Sequence, residues 1–289
     1  MSGPAILALP ASVTLALWLP VVHDRDSAYR AARAVARTGE HHAVHSRAPA
    51  TRPRAGELEA RRRTQAVSSS AWLAALHDLV VGLTPVLEVA ALLPRAGDPM
   101  GAPAARSADL LDAGEGLLLR RTDAQGAEQC SVVVPMRSTY GSIYERGELV
   151  TWTVEEDITD LLPAPSLLLA GVDSLSQARR EIQLALTEAI ETLEALDVAR
   201  DRPDLADQLL DLSLATLPDR LVPSHVEPRQ LDVLERAARL LAIVDVALDD
   251  TGAGVTAAQI DQRSRALAHV ERAARHAMCA ASATRPGRS

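Results

Sequence analysis

The chain has 289 residues, 47% of them hydrophobic and 24% charged, with a formal charge of -8. It is long enough for two domains, too apolar for general disorder and too acidic for a general nucleic-acid-binding surface. Its cations are all arginine, and the absence of Lys and Asn removes Schiff-base lysines, a Walker-type lysine and N-linked glycosylation from the chemistry available to it.

Residues Ala5 to Val22 are strongly apolar. No arginine precedes the run, and Pro10 and Pro20 interrupt it. Val13, Leu15, Leu17 and Leu19 alternate with Thr14, Ala16 and Trp18, which reads as a buried strand in preference to a signal peptide or membrane anchor. Asp24 to Ala36 follows as a helix with Tyr29, Ala32 and Val35 on its apolar side. From Gly39 to Ser70 the periodicity is lost and His41, His42 and His45 precede a proline- and arginine-rich stretch. Six arginines against Glu57 and Glu59 give residues 46–63 a charge of +4, which predicts a disordered basic linker. Nucleic acid is not expected as a partner except through this basic 47–63 segment, which lacks aromatics for base stacking.

Trp72, Leu76 and Val80 predict a helix over 71–83, and Val86 to Leu93 a strand. A Gly- and Pro-rich break at 94–103 and a helical turn at 107–113 lead into three strands at 116–121, 131–137 and 148–155. Prolines at 163 and 165 mark the boundary of this first domain, residues 1–160. The longest helical pattern then runs from Ser174 to Arg200, with Leu175, Ala178, Ile182, Ala185, Ala189, Leu193 and Leu196 on one stripe and a Ser174/Gln177 capping box at its start. Three more amphipathic patterns, from about Asp201, Pro228 and Thr256, make residues 172–282 a four-helix bundle-like domain. The fold class is therefore α+β: a mixed or antiparallel sheet with flanking helices, then an all-α half.

The loop Gly97-Asp98-Pro99-Met100-Gly101, the run Ala113-Gly114-Glu115-Gly116 before a strand, the segment Leu196 to Pro203 and the turn from Gly252 to Gln259 together resemble conserved hypothetical proteins of high-GC Gram-positive bacteria. The resemblance spans about residues 70 to 280. It implies a globular, intracellular protein and carries over no catalytic residue.

Motifs that carry chemistry are sparse. Gly252-Ala253-Gly254 follows a helix and not a strand, so it lacks the setting of a dinucleotide fingerprint. The His41/His42/His45 cluster suits zinc in ligand type, but no Cys pair or helical His motif accompanies it, and no metal or other cofactor is implied. Cys130 and Cys279 fit free, buried thiols in a reducing, cytoplasmic setting. Asp201, Asp204, Asp207 and Asp211 read as a solvated helix face. The best assembly for a ligand is Arg120, Arg137, Tyr140, Tyr144, Glu145 and Arg146, around the strand ends and the 138–147 loop, where arginine forks can hold a carboxylate or phosphate. Two functions remain open: a non-catalytic protein-interaction or scaffold protein, which is preferred, and an enzyme binding a small anionic ligand at the interdomain cleft. The oligomeric state is not legible.

Overall fold

The computed structural model describes residues 6–47, 69–122, 126–142, 146–159, 162, 164–195, 211–249 and 257–285. They fall into two compact units, one made of Pro10–Gly171 with Ala283–Ser289, the other of Val172–Ser282 with Met1–Leu9. Each unit therefore draws its last piece from the far end of the chain. The α+β class holds: the first unit carries a five-stranded mixed sheet with helices around it, and the second is helical.

The first element corrects the sequence reading. Residues Ala11–Trp18 form helix α1. All but Trp18 are buried, Thr14 and Ala16 as completely as Val13, Leu15 and Leu17. The alternation was uninformative because a helix apolar all round is buried all round, and burial of both sets removes the period that separates helix from strand. Pro10 stands at the N-cap, and a short 3-10 turn, Leu19–Val21, closes the element. Helix α2, Arg25–Val35, begins at a capping box in which the Ser27 N–H donates to Asp24 Oδ1 at 2.7 Å and the Asp24 N–H donates to Ser27 Oγ at 3.0 Å. Its alanines and Val35 face inward, while Tyr29 is exposed.

The second correction is strand β1, Glu40–Arg47, which occupies part of the expected loop. Its partner is more than a hundred residues away, and its buried residues are Glu40 and His42, so neither proximity nor hydropathy announces it. Of the expected basic linker, residues 46–63, Ser46 and Arg47 belong to this strand and 48–63 lie outside the described residues. Helix α3, Ser69–Leu83, buries Leu76, Leu79, Val80 and Leu83 and packs on α2 and β1.

Strands β2 (Glu88–Leu92), β3 (Gly116–Thr122), β4 (Glu128–Gly141) and β5 (Arg146–Glu155) pair antiparallel in sequence order. β1 joins β5 in parallel, giving the order β1-β5-β4-β3-β2. The register fixes the two faces. One carries His42, Val89, Leu117, Leu119, Val133, Val150 and Trp152 beneath the helices, with α3 bringing Trp72 against His42. The opposite face is covered over β2, β3 and the start of β4. There Leu118, Cys130, Val132 and Ile158 are buried, and Leu110 of the short helix α4, Ser107–Ala113, packs over Gly116. Its remaining half, over β1, β5 and the end of β4, is partly exposed. At the far edge, Thr284 pairs with Val89 of β2 through hydrogen bonds of 2.8 and 3.1 Å.

Gly101 and Gly171 bring two backbones together. A Cβ on Gly101 would lie 2.8 Å from Gly171 Cα, the reverse distance is 2.6 Å, and Gly101 has φ 76. Gly171→Ala should cost about 1–3 kcal/mol through forced displacement of the backbone, read as a lower urea midpoint at unchanged slope.

In the helical unit, α5 (Leu175–Ala195), α6 (Pro228–Asp249) and α7 (Ala257–Ser282) pack with α7 against both others. The expected stripes are buried at Ala178, Ile182 and Ala185, at Leu234, Ala238 and Val244, and at Leu267, Val270, Ala274 and Met278. The Gln177 N–H donates to Ser174 Oγ at 3.2 Å, which supplies one half of the expected cap. Of the expected second helix, residues 211–214 are helical and 201–210 lie outside the described residues, as do Thr256 and the Gly252–Gly254 turn. The chain start joins this unit, where the Leu7 N–H donates to Thr216 O at 3.1 Å. Among the described residues, no helix is long and apolar enough to cross a membrane.

Candidate functional site

The charged groups that sequence reasoning singled out lie on both sheet faces. Arg120 of β3 stands opposite Cys130, and Arg137 lies seven residues further along β4. That spacing puts them about 23 Å apart, and the odd step puts them on opposite faces. The two guanidiniums therefore belong to separate clusters.

Arg120, nearly buried, donates to Glu88 Oε2 at 3.1 Å and to Glu128 Oε1 at 2.8 Å. The bond to Glu88 chiefly raises its pKa above the ordinary arginine value. Cys130, on the same face, is pushed up to about 11 by burial, so its thiol is no nucleophile at neutral pH. Nearby, Arg106 pairs with Glu155.

Arg137 holds three carboxylates on the helix-covered face. It donates to Glu40 Oε1 at 2.7 Å, to Glu148 Oε1 at 3.0 Å and to Glu115 Oε1 at 3.3 Å. Burial opposes its charge, but the bonds to Glu40 and Glu148 outweigh that and raise its pKa. Glu115 also serves α1: its Oε2 accepts from the backbone N–H of Ser12 at 2.8 Å and from Ser12 Oγ at 2.9 Å, an anion at a helix start. Beyond Glu40 lies His42, whose side chain is fully buried. The Trp152 indole N–H donates to His42 Nδ1 at 3.2 Å. An indole can only donate, so Nδ1 is the acceptor and the neutral ring carries its proton on Nε2. That nitrogen and Glu40 Oε2 lie 3.6 Å apart, beyond a good hydrogen bond, and neither has a hydrogen-bond partner. Burial, with help from Arg137 and His41 and against Glu148, lowers the His42 pKa to about 4.

Tyr140 leaves the other side of β4. Its ring stacks on His41 at a centroid distance of 5.6 Å, and its hydroxyl contacts His41 Nδ1. Arg146 opens β5 in register with Gly141 and is exposed. Tyr144 and Glu145 lie outside the described residues. The histidine cluster is divided by the strand pleat: His41 and His45 share one face while His42 points to the other, so the three cannot converge on one ion. Among the described residues, no group of three His, Cys, Asp or Glu side chains has the arrangement to hold a metal.

Sequence reasoning found Arg137 and missed every group bonded to it. Glu40, Glu115 and Glu148 come from three segments, and only the same-face series Glu148, Val150, Trp152, Val154 hinted that a strand carried an acid inward.

A five-stranded mixed sheet clad by helices, with its buried charges paired internally, and a separate helical unit define an α+β protein of two parts. The model of the "Rv1486c-like protein, N-terminal domain" matches residues 12–165, and that of the "Rv1486c-like protein, C-terminal domain" matches 176–279, so the chain belongs to the Rv1486c-like family. No curated protein and no solved structure matches the chain.

Proposed function

We propose that this is a non-catalytic protein-interaction or scaffold protein of the cytoplasm, binding a protein partner on the half-exposed face of its sheet. One observation carries the reading. Short of the strand end at Arg47, the uncovered surface carries His41, Ala43 and His45 from β1, Leu149, Thr151 and Thr153 from β5, and Met136, Ser138 and Tyr140 from β4. These nine side chains include no carboxylate and no guanidinium, in a chain whose residues are 24% charged. Depletion of charge together with Tyr and Met is the composition of a protein-binding surface, whereas a nucleic acid would require cations there. The arginines that an anionic ligand would use at Arg120 and Arg137 already hold carboxylates.

The test is affinity purification of the full chain from its native host, wild type beside Met136→Arg. Met136 is exposed, so the variant should melt as wild type does. The expected result is a partner recovered with wild type and reduced at least about tenfold with the variant, an arginine at the centre of an interface costing more than 1.4 kcal/mol. Equal recovery of every bound protein by both would overturn the reading. The enzyme alternative rests on Arg146, the exposed arginine of the candidate set, and expects a small carboxylate or phosphate to raise the melting temperature in wild type and not in Arg146→Ala. The boundaries 1–160 and 172–282 belong to the same proposal, supported by family models that divide between residues 165 and 176.

A further inference from the structure

We propose that His42 is an acid-released pin: while neutral it fastens edge strand β1 to Trp152 in the centre of the sheet, and protonation undoes the fastening and frees residues 40–47 from β5. This inference is independent of the binding reading.

The anchoring of β1 is unusual in kind. On its inward face only Glu40 and His42 are buried, while Val44 is partly buried and Ser46 exposed. On its other face His41, Ala43 and His45 all meet solvent to some degree. A strand normally holds its place by apolar burial, but this one holds by two polar side chains, a carboxylate and an imidazole. β1 is also the last strand of the sheet, paired on one side alone among the described residues.

His42 has a single basic nitrogen. With the ring proton on Nε2, an added proton must go to Nδ1, the atom that accepts from the Trp152 indole at 3.2 Å. Protonation therefore turns an accepted hydrogen bond into two N–H donors facing each other inside the sheet core, where neither reaches water. The surroundings do not rescue the cation. From β4, Arg137 repels it. From β5 the charged groups on this face are Glu148, which attracts it but shares Arg137, and Arg146 at the exposed strand start. α3 presents the Trp72 ring, and its titratable residues, His77 and Asp78, contact each other at 3.3 Å. On β1 itself, Glu40 Oε2 stands 3.6 Å from Nε2 with its other oxygen bonded to Arg137, while His41 adds repulsion from the opposite face.

The sign follows. In the released strand His42 is solvated and titrates near its ordinary 6.5, whereas in the docked strand its value is lowered to about 4. Docking is then fully supported above pH 6.5, and that support is lost as pH falls through 4. The opening equilibrium of β1 should rise roughly 10²–10³-fold across that window.

Hydrogen exchange of the full chain at pH 7 and pH 4, corrected for the intrinsic rate, reads this directly. Amides of 40–47 should lose protection at pH 4 while those of β3 keep theirs, and His42→Gln, whose amide oxygen accepts from the indole but does not titrate, should abolish the difference. Unchanged protection of β1 in wild type, or the same loss in His42→Gln, would overturn the proposal. Should His42→Gln fail to fold, the Trp152 indole N–H resonance of wild type decides: it should shift with the midpoint of His42, and an indole signal indifferent to that titration would equally refute the pin.

Discussion

Arg137→Met should destabilise the sheet-bearing unit by about 3 kcal/mol, since three carboxylates lose their shared cation and two of them, Glu40 and Glu115, are buried. Methionine keeps the apolar stem of the arginine, so the loss reports charge and hydrogen bonding more than packing. Urea unfolding of the full chain at pH 7 checks it. Pairing the change with Glu40→Gln should recover part of the loss, with a coupling of about 1–3 kcal/mol, because the removed carboxylate no longer needs a partner. Strictly additive costs would show that the guanidinium and Glu40 do not depend on each other.

Leu17→Asp should be more severe still. Leu17 is 4% exposed in a helix whose polar side chains are Ser12 and Thr14, neither of which carries a charge to pair with an aspartate. Placing an unpaired carboxylate there costs several kcal/mol against a total stability of about 5–15 kcal/mol. The expected result is an aggregated or degraded variant, with wild type in the soluble cytosolic fraction. A variant that melts like wild type, or wild type recovered from membranes or medium, would remove α1 from the core.

That prediction does not depend on whether residues 11–18 are helix or strand, which shows what sequence patterning measures. Burial of Val13, Leu15 and Leu17 is legible from composition alone, but conformation is legible only where one face is polar. The helix from Pro228 to Asp249, with both faces distinct, was therefore readable at its start. β1 failed for the opposite reason. Its inward positions are Glu40 and His42, so a true strand looked like a polar loop. The candidate site shared that fate: Arg137 stood out at a strand end, while Glu40, 97 residues distant, became its partner through a parallel pairing that no local signal encodes.

The C-terminal cover on β2 sets a timetable for synthesis. Val89 offers its backbone to Thr284, close to two hundred residues later in the chain. At about 5–20 residues per second, the outer edge of β2 waits some 10–40 s on the ribosome before its cap exists. β2 is buried along its full length in the finished protein, so during that interval a short apolar edge is available to any passing strand. The nascent chain is thus most exposed to mispairing just when most of its sheet has already been made, and the arrival of Thr284 ends that hazard.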